Sequence, residues 1–131
     1  MKLTKWLIYT VIIGAIPFIV RFFVFIATTN IDSNYIVNIV DMVTFGLVLH
    51  VSNINELESW QGMEDSKRTL FRGISLVLIV LLSALLGLAY IADLDKTGVY
   101  EIDSIKYLSV TLSTISFIFV LSIYIGYRIT E

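Results

Sequence analysis

The stretch FIVRFFVFIA, residues 18–27, is apolar at nine of its ten positions and carries Arg21 in its middle. A guanidinium group without a partner is costly in hydrocarbon. Arg21 therefore needs a partner elsewhere in the chain. The length of this apolar run and the identity of that partner decide how the chain folds.

The composition of the whole chain indicates a membrane protein. It has 131 residues, of which 57% are hydrophobic, and a mean hydropathy of +0.88. Soluble domains usually contain about 45–50% apolar residues, so we expect the excess to face lipid. The net charge of −2 comes without a basic stripe, which argues against direct binding of nucleic acid. Cysteine is absent, so disulfides and thiolate metal sites are excluded.

Four apolar runs are long enough to cross a bilayer as helices. We predict an all-α integral membrane protein with a single domain, residues 1–131, built as an up-down antiparallel bundle of four transmembrane helices. The helices are expected at about residues 6–27, 35–61, 70–92 and 105–127. The second should extend beyond the membrane into the cytoplasm, and Pro17 should kink the first.

The distribution of Lys and Arg predicts the orientation. An even number of spans places both termini on one side of the membrane. That side, together with the loop at 52–69, carries six basic residues, whereas the other side carries two. The positive-inside rule then predicts a multi-pass protein of the bacterial inner membrane with its N- and C-termini in the cytoplasm.

Asp41 is the predicted partner of Arg21. Arg21 lies six residues before the outer end of the first helix, and Asp41 lies six residues after the outer start of the second. At 1.5 Å per residue, both are roughly 9 Å below the outer surface. We expect an ion pair facing the bundle interior, with Asn38 and Thr44 on the same helix face as Asp41.

Hydroxyl groups of the fourth helix lie at the same depth. In YLSVTLSTIS, residues 107–116, one stripe is formed by Ser109, Ser113 and Ser116. Together with the predicted ion pair, they suggest a buried polar network. Two interpretations stay open: a structural link between helices, or a polar cavity or ion path, because ionisable residues inside a membrane are candidates for function.

Small residues on the third helix suggest a close helix contact. Ser83 and Gly87 are four positions apart, so they share a face that another helix can approach closely. That helix belongs either to the same bundle or to a second subunit. The second alternative predicts a homo-oligomer surrounded by membrane lipid.

The predicted extension, NINELESWQGMEDSKR at residues 53–68, carries an apolar edge of Ile54, Leu57 and Trp60. Residues three apart lie on one helix face. We predict that this edge contacts a cytosolic protein in helix-in-groove fashion. The alternatives are that it rests on lipid headgroups or packs on a neighbouring subunit.

No catalytic pattern accompanies these features. His50 is the only histidine, and we interpret it as a polar residue at the inner end of the second helix. The sequence has no nucleophile turn, no glycine-rich phosphate loop and no HExxH. We therefore expect neither an enzyme nor a cofactor or metal site.

Three functions fit these observations. The first is a homo-oligomeric sensor or scaffold subunit of the inner membrane that engages a cytosolic partner. The alternative is a small oligomeric ion channel or pore lined by the outer polar layer. The third is an accessory subunit that stabilises a larger membrane complex.

The stretch DMVTFGLVLHVSNINELE, residues 41–58, together with the four-span layout and cytoplasmic termini, resembles the membrane subunit of the bacterial Kiwa anti-phage system. The resemblance concerns the layout of the whole chain. It implies a homotetramer of four-helix subunits that senses phage attack at the inner membrane. It also implies a cytosolic DNA-binding effector as the partner.

Overall fold

The computed structural model describes residues 2–28, 38–95 and 97–127, and every regular element within these ranges is helical. In chain order the elements are α1 (Lys2–Trp6), a π-helical segment (Leu7–Ile12), α2 (Ile16–Ala27), α3 (Ile39–Ser59), α4 (Asp65–Leu94) and α5 (Ile102–Tyr127). The prediction of an all-α protein is confirmed. The predicted start of the second helix, at residue 35, lies outside the described residues.

Two helices of the described ranges, α4 and α5, are long and apolar enough to cross a membrane. The segments Thr4–Ile12 and Ile16–Ala27 pass the same test only as a pair, and they meet at an angle of 54°. α3 is not among the candidates and carries three acidic side chains. Membrane localisation is therefore plausible, with two candidate spans or three if the bent pair is one span. The arrangement of four spans stays a prediction.

The bend in the first apolar run confirms the predicted kink. Pro17 lies in the first turn of α2, after Ala15 at the N-cap. Proline has no N–H to donate to the carbonyl four residues earlier, and its ring crowds that carbonyl. The regular α-helical bonding is already interrupted by the preceding π-helical segment. The helix axis therefore changes direction just before Pro17.

α2 is the most exposed apolar element. None of its residues is buried, and the side chains of Phe23 and Ile26 are 65% and 64% exposed. This arrangement differs from the predicted four-helix bundle. The packed part of the chain consists of α3, α4 and α5 with the N-terminal turns against them, while α2 stands apart because the bend directs it away.

α3 is the central helix of the packed part and contacts both α4 and α5. Gly46 permits the close approach of α4: a Cβ at this position would lie 2.8 Å from Cδ1 of Leu82. Two apolar clusters form along α3. One is built around Val43, Leu82, Leu85 and Ile105, and the other around Trp6, Leu49, Leu57, Trp60 and Tyr124.

Arg68 closes the turn between α3 and α4. Its guanidinium group donates to the backbone oxygens of Trp60 and Met63 and, at 2.7 Å, to the carboxylate of Asp65. These bonds stabilise the turn. Trp60 and Met63 within it are only 2% and 4% exposed, so the turn packs against the helices. The helix therefore ends at Ser59, close to the predicted end at 61, and the chain folds back at once.

The connection between α4 and α5 is shaped by Asp95. Thr97 donates its backbone N–H and its hydroxyl to the Asp95 carboxylate, at 3.0 and 2.7 Å. These two bonds lower the pKa of Asp95 below its ordinary value, the backbone bond contributing most. Gly98 follows with a φ of +77°, a conformation that glycine adopts without strain.

Candidate functional site

The Arg21 and Asp41 side chains are joined in the structure. Nε of Arg21 on α2 donates to Oδ2 of Asp41 on α3. The two side chains are 24% and 15% exposed, so the pair is largely shielded. On α2 its surroundings are apolar, because all residues of the 18–27 run except Arg21 are hydrophobic. Whether this pair has a function beyond joining α2 to α3 stays a prediction.

Asn38 fixes the position of Asp41. Asn38 has an extended backbone and is the N-cap of α3, and its Oδ1 accepts from the backbone N–H of Asp41 at 3.2 Å. Asp41 is thereby held in the first turn, where the helix dipole favours a carboxylate. α3 begins at Ile39, so Asn38, which was predicted to lie inside the second helix, is the residue that caps it. An Asn three positions before Asp is a capping pattern that could have indicated this start.

The hydroxyl stripe on α5 does not form one network. Ser113 donates to the backbone oxygen of Met42 on α3 at 2.6 Å and so links two helices. Ser109 and Ser116 are also buried, but each donates to a carbonyl of its own helix, four residues earlier. Thr44 is exposed on α3. The structure therefore links Arg21, Asp41 and Asn38 directly, and Ser113 bonds to α3 at Met42, the residue after Asp41.

A second polar cluster lies deeper in the packed part, and sequence reasoning missed it. His50, Asn53 and Ser75 are each 0% exposed. Ser75 Oγ on α4 accepts from Asn53 Nδ2 at 2.8 Å and lies 3.2 Å from His50 Nδ1. Thr10 and Ser52 form a further link, at 2.9 Å, between the N-terminal segment and α3. The spacing of His50 and Asn53, three apart on one face of α3, was the available signal.

The predicted contact surface for a cytosolic partner is not exposed. Leu57 is 0% and Trp60 is 2% exposed, and Ile54 is half-buried. Leu57 and Trp60 belong to the apolar cluster that includes Trp6 and Tyr124. The N-terminal helix, the turn after α3 and α5 of the same chain cover this edge, so Leu57 and Trp60 are not available to a partner in this structure.

Aromatic rings connect α2 with that cluster. Phe18 on α2 meets Phe45 on α3 edge to face, at 5.8 Å between ring centres. The rings then continue through Phe117, Trp6 and Tyr124 to Trp60, with centre-to-centre distances of 6.3, 6.1, 4.9 and 5.4 Å. Each distance lies within the range of favourable aromatic pairs. One row of packed rings therefore runs from the Arg21–Asp41 region to the turn between α3 and α4.

Ser83 and Gly87 are exposed on α4. A Cβ added to Gly87 would meet nothing within 4 Å. Within the described residues, no other helix of the chain packs against Gly87. A contact of this face with a second subunit stays a prediction.

No cluster of three or more His, Cys, Asp or Glu residues that could hold a metal ion is found within the described ranges. No protein-family model, no curated protein and no solved structure matches the chain.

Proposed function

We propose that the protein is a homo-oligomeric sensor and scaffold subunit of the bacterial inner membrane, with four spans and both termini in the cytoplasm. In this proposal, α2 responds to a change in the surrounding bilayer, and the turn after α3 presents the response to a cytosolic partner. The supporting observation is the attachment of α2. This helix is apolar apart from Arg21 and has no buried residue, and the Arg21–Asp41 pair joins it to α3.

The row of aromatic rings supports a route between the two sites. Phe18 moves with α2, and its contact partner Phe45 packs on Phe117 of α5. At the other end, Trp60 belongs to the turn that Arg68 closes. Close-packed side chains transmit displacements because interiors have few voids into which a ring can move. A shift of α2 would therefore alter the packing beneath the turn.

The partner, in this proposal, meets polar groups and not an apolar edge. Leu57 and Trp60 are covered by the chain itself. The exposed residues of the turn and of the first turn of α4 are Gln61, Gly62, Glu64, Asp65, Ser66 and Lys67. Such a surface suits a partner that recognises mixed charges, and binding should weaken as salt increases.

The resemblance to the Kiwa membrane subunit extends the proposal. It makes phage attack the stimulus, a homotetramer the assembly and a DNA-binding effector the cytosolic partner. The direct role of this chain would then be signalling, without nucleic-acid binding or catalysis of its own.

Spin labels can test whether α2 responds to the bilayer. The chain has no cysteine, so Ile26→Cys on α2 and Leu81→Cys on α4 each give one labelled position, and both residues are exposed. In vesicles under osmotic tension, we expect label mobility to change at residue 26 and to stay constant at residue 81. The change at residue 26 should disappear when the tension is released. Equal responses at both positions would contradict a sensing role for α2.

Charge reversal can test the partner surface. Glu64→Lys and Lys67→Glu should abolish co-purification of a cytosolic partner from the native host, whereas Asp103→Lys at the opposite end of the packed helices should not. Recovery of the partner with all three variants would contradict the proposed surface. A steady current from purified protein in planar bilayers, altered by Asp41→Asn, would favour the pore instead.

A further inference from the structure

A cavity of about 360 Å³ lies between the start of α3, the last turns of α4 and the first turns of α5. Sites for small ligands typically measure about 300–1,000 Å³, so the cavity can hold a headgroup-sized molecule. It is separate from the ion pair, although Asn38 lines it and also caps the helix that carries Asp41.

Charged groups of opposite sign enter this cavity from different helices. Asp93 comes from the last turn of α4, and Lys106 comes from the second turn of α5. Much of the remaining wall is apolar and includes Ile39, Ala89 and Ile105. A few polar groups within apolar walls are typical of sites that orient a ligand. The two signs of charge favour a ligand that itself carries both.

The cavity lies at the end of two helices that can cross a membrane. α4 ends at Leu94 and α5 begins at Ile102, and both are candidate spans. With α4 and α5 as spans, the cavity would open where hydrocarbon gives way to lipid headgroups. Tyr90 and Tyr107, which are 57% and 75% exposed, lie on the same turns. Tyrosine is enriched at this level of membrane proteins.

We propose that this cavity binds the headgroup of a phospholipid that carries both an ammonium and a phosphate group, the chemistry of phosphatidylethanolamine. Lys106 pairs with the phosphate, Asp93 pairs with the ammonium group, and the apolar wall receives the first carbons of the acyl chains. A headgroup with phosphate alone would bring its negative charge near Asp93 without compensation. The assignment does not depend on the proposed sensing role.

Native mass spectrometry can measure the ratio of bound lipids. The protein would be extracted from vesicles containing equal amounts of phosphatidylethanolamine and phosphatidylglycerol. We expect the wild-type protein to retain mainly phosphatidylethanolamine. Asp93→Asn should reduce this preference about tenfold, the size expected when a charge-assisted hydrogen bond is lost. Lys106→Gln should reduce retention of both lipids, because both carry the phosphate.

Matched controls separate the site from a general effect of charge. Asp103→Asn removes an exposed carboxylate at the same end of the molecule, and Lys5→Gln removes an exposed cation at the opposite end. Both should retain lipids as the wild-type protein does. Ala89→Trp would fill the cavity without changing charge, and it should lower retention of phosphatidylethanolamine. Only variants with wild-type helical content and unfolding temperature would be compared.

Two results would overturn the inference. One is unchanged retention of phosphatidylethanolamine in Asp93→Asn, Lys106→Gln and Ala89→Trp. The other is displacement of the bound lipid by soluble phosphoethanolamine. This molecule lacks the acyl chains that contact the apolar wall, so we expect it to compete poorly. If it displaces the lipid at equal concentration, the cavity binds a small soluble molecule and not a lipid.

Discussion

α2 and the second half of α3 are held in the molecule by opposite means. α2 exposes its apolar side chains and is joined to α3 by the ion pair of Arg21 and the ring contact of Phe18. The second half of α3 buries Leu49, Asn53 and Leu57 completely among neighbouring helices. The first attachment depends on a few specific contacts, whereas the second depends on dense packing. A change in the surroundings should therefore move α2 first.

The largest expected difference between the two regions comes from removing an apolar side chain in each. Leu57→Ala empties a fully buried position and should lower the free energy of unfolding by about 3 kcal/mol. Phe23→Ala on α2 removes a larger side chain that is 65% exposed, and it should change the free energy by less than about 0.5 kcal/mol. Reversible unfolding in mixed micelles would measure both. Equal losses would show that α2 is packed as tightly as α3.

The ion pair should give the next largest effect. A double-mutant cycle with Arg21→Gln and Asp41→Asn should reveal a coupling of about 2 kcal/mol, because each charge is costly in apolar surroundings without the other. The matched control is the pair of Arg72 and Glu58, which is 3.1 Å apart and far more exposed. Its coupling should be at most about 0.5 kcal/mol. Similar couplings for the two pairs would remove the reason to regard Arg21–Asp41 as special.

Gly46 tests the close approach of α3 and α4. Gly46→Ala places a methyl group against the buried Leu82 side chain and should cost about 1–2 kcal/mol through overpacking. Gly73→Ala on α4 meets open space and should stabilise the helix by about 0.5–1 kcal/mol. Thermal unfolding in detergent would compare them. A stabilising Gly46→Ala would mean that Leu82 can move aside.

The smallest effect is expected within the hydroxyl stripe. Ser113→Ala removes the bond from α5 to Met42 and should cost about 0.6 kcal/mol, the average for such links in membranes. Ser109→Ala and Ser116→Ala remove bonds within α5 and should have effects near zero. The free energies of unfolding of the three variants, measured under identical conditions, would test this difference. Equal costs would indicate that all three hydroxyls join helices.

Local rules predicted several features well. The kink followed from Pro17, because the chemistry of proline acts on its own helix. The partner of Arg21 followed from the need of a guanidinium in an apolar run for a nearby carboxylate, although the depth count assumed a helix from residue 35 and α3 begins at Ile39. Both arguments need only the chain near the residue concerned. The same is true of the all-α fold, which follows from apolar runs too long for strands.

Features that depend on distant parts of the chain were missed. The edge of Ile54, Leu57 and Trp60 was recognised, but no spacing rule indicates that Trp6 and Tyr124 of the same chain cover it. A serine on an inward face can bond to its own helix or to a neighbour, and the sequence pattern is identical for both. His50 was interpreted as a polar residue at the inner end of the second helix, and no local spacing rule indicates its partner Ser75, 25 positions away.

The unequal lengths of α4 and α2 have a consequence for the choice of membrane. At 1.5 Å per residue, the 30 residues of α4 extend about 45 Å, and the 12 residues of α2 extend about 18 Å. A hydrocarbon layer of about 30 Å is shorter than the first and longer than the second. Thinning of that layer would force α4 to tilt further, whereas α2 reaches the length of a span only together with Thr4–Ile12. The protein should therefore distribute unevenly between bilayers of different thickness.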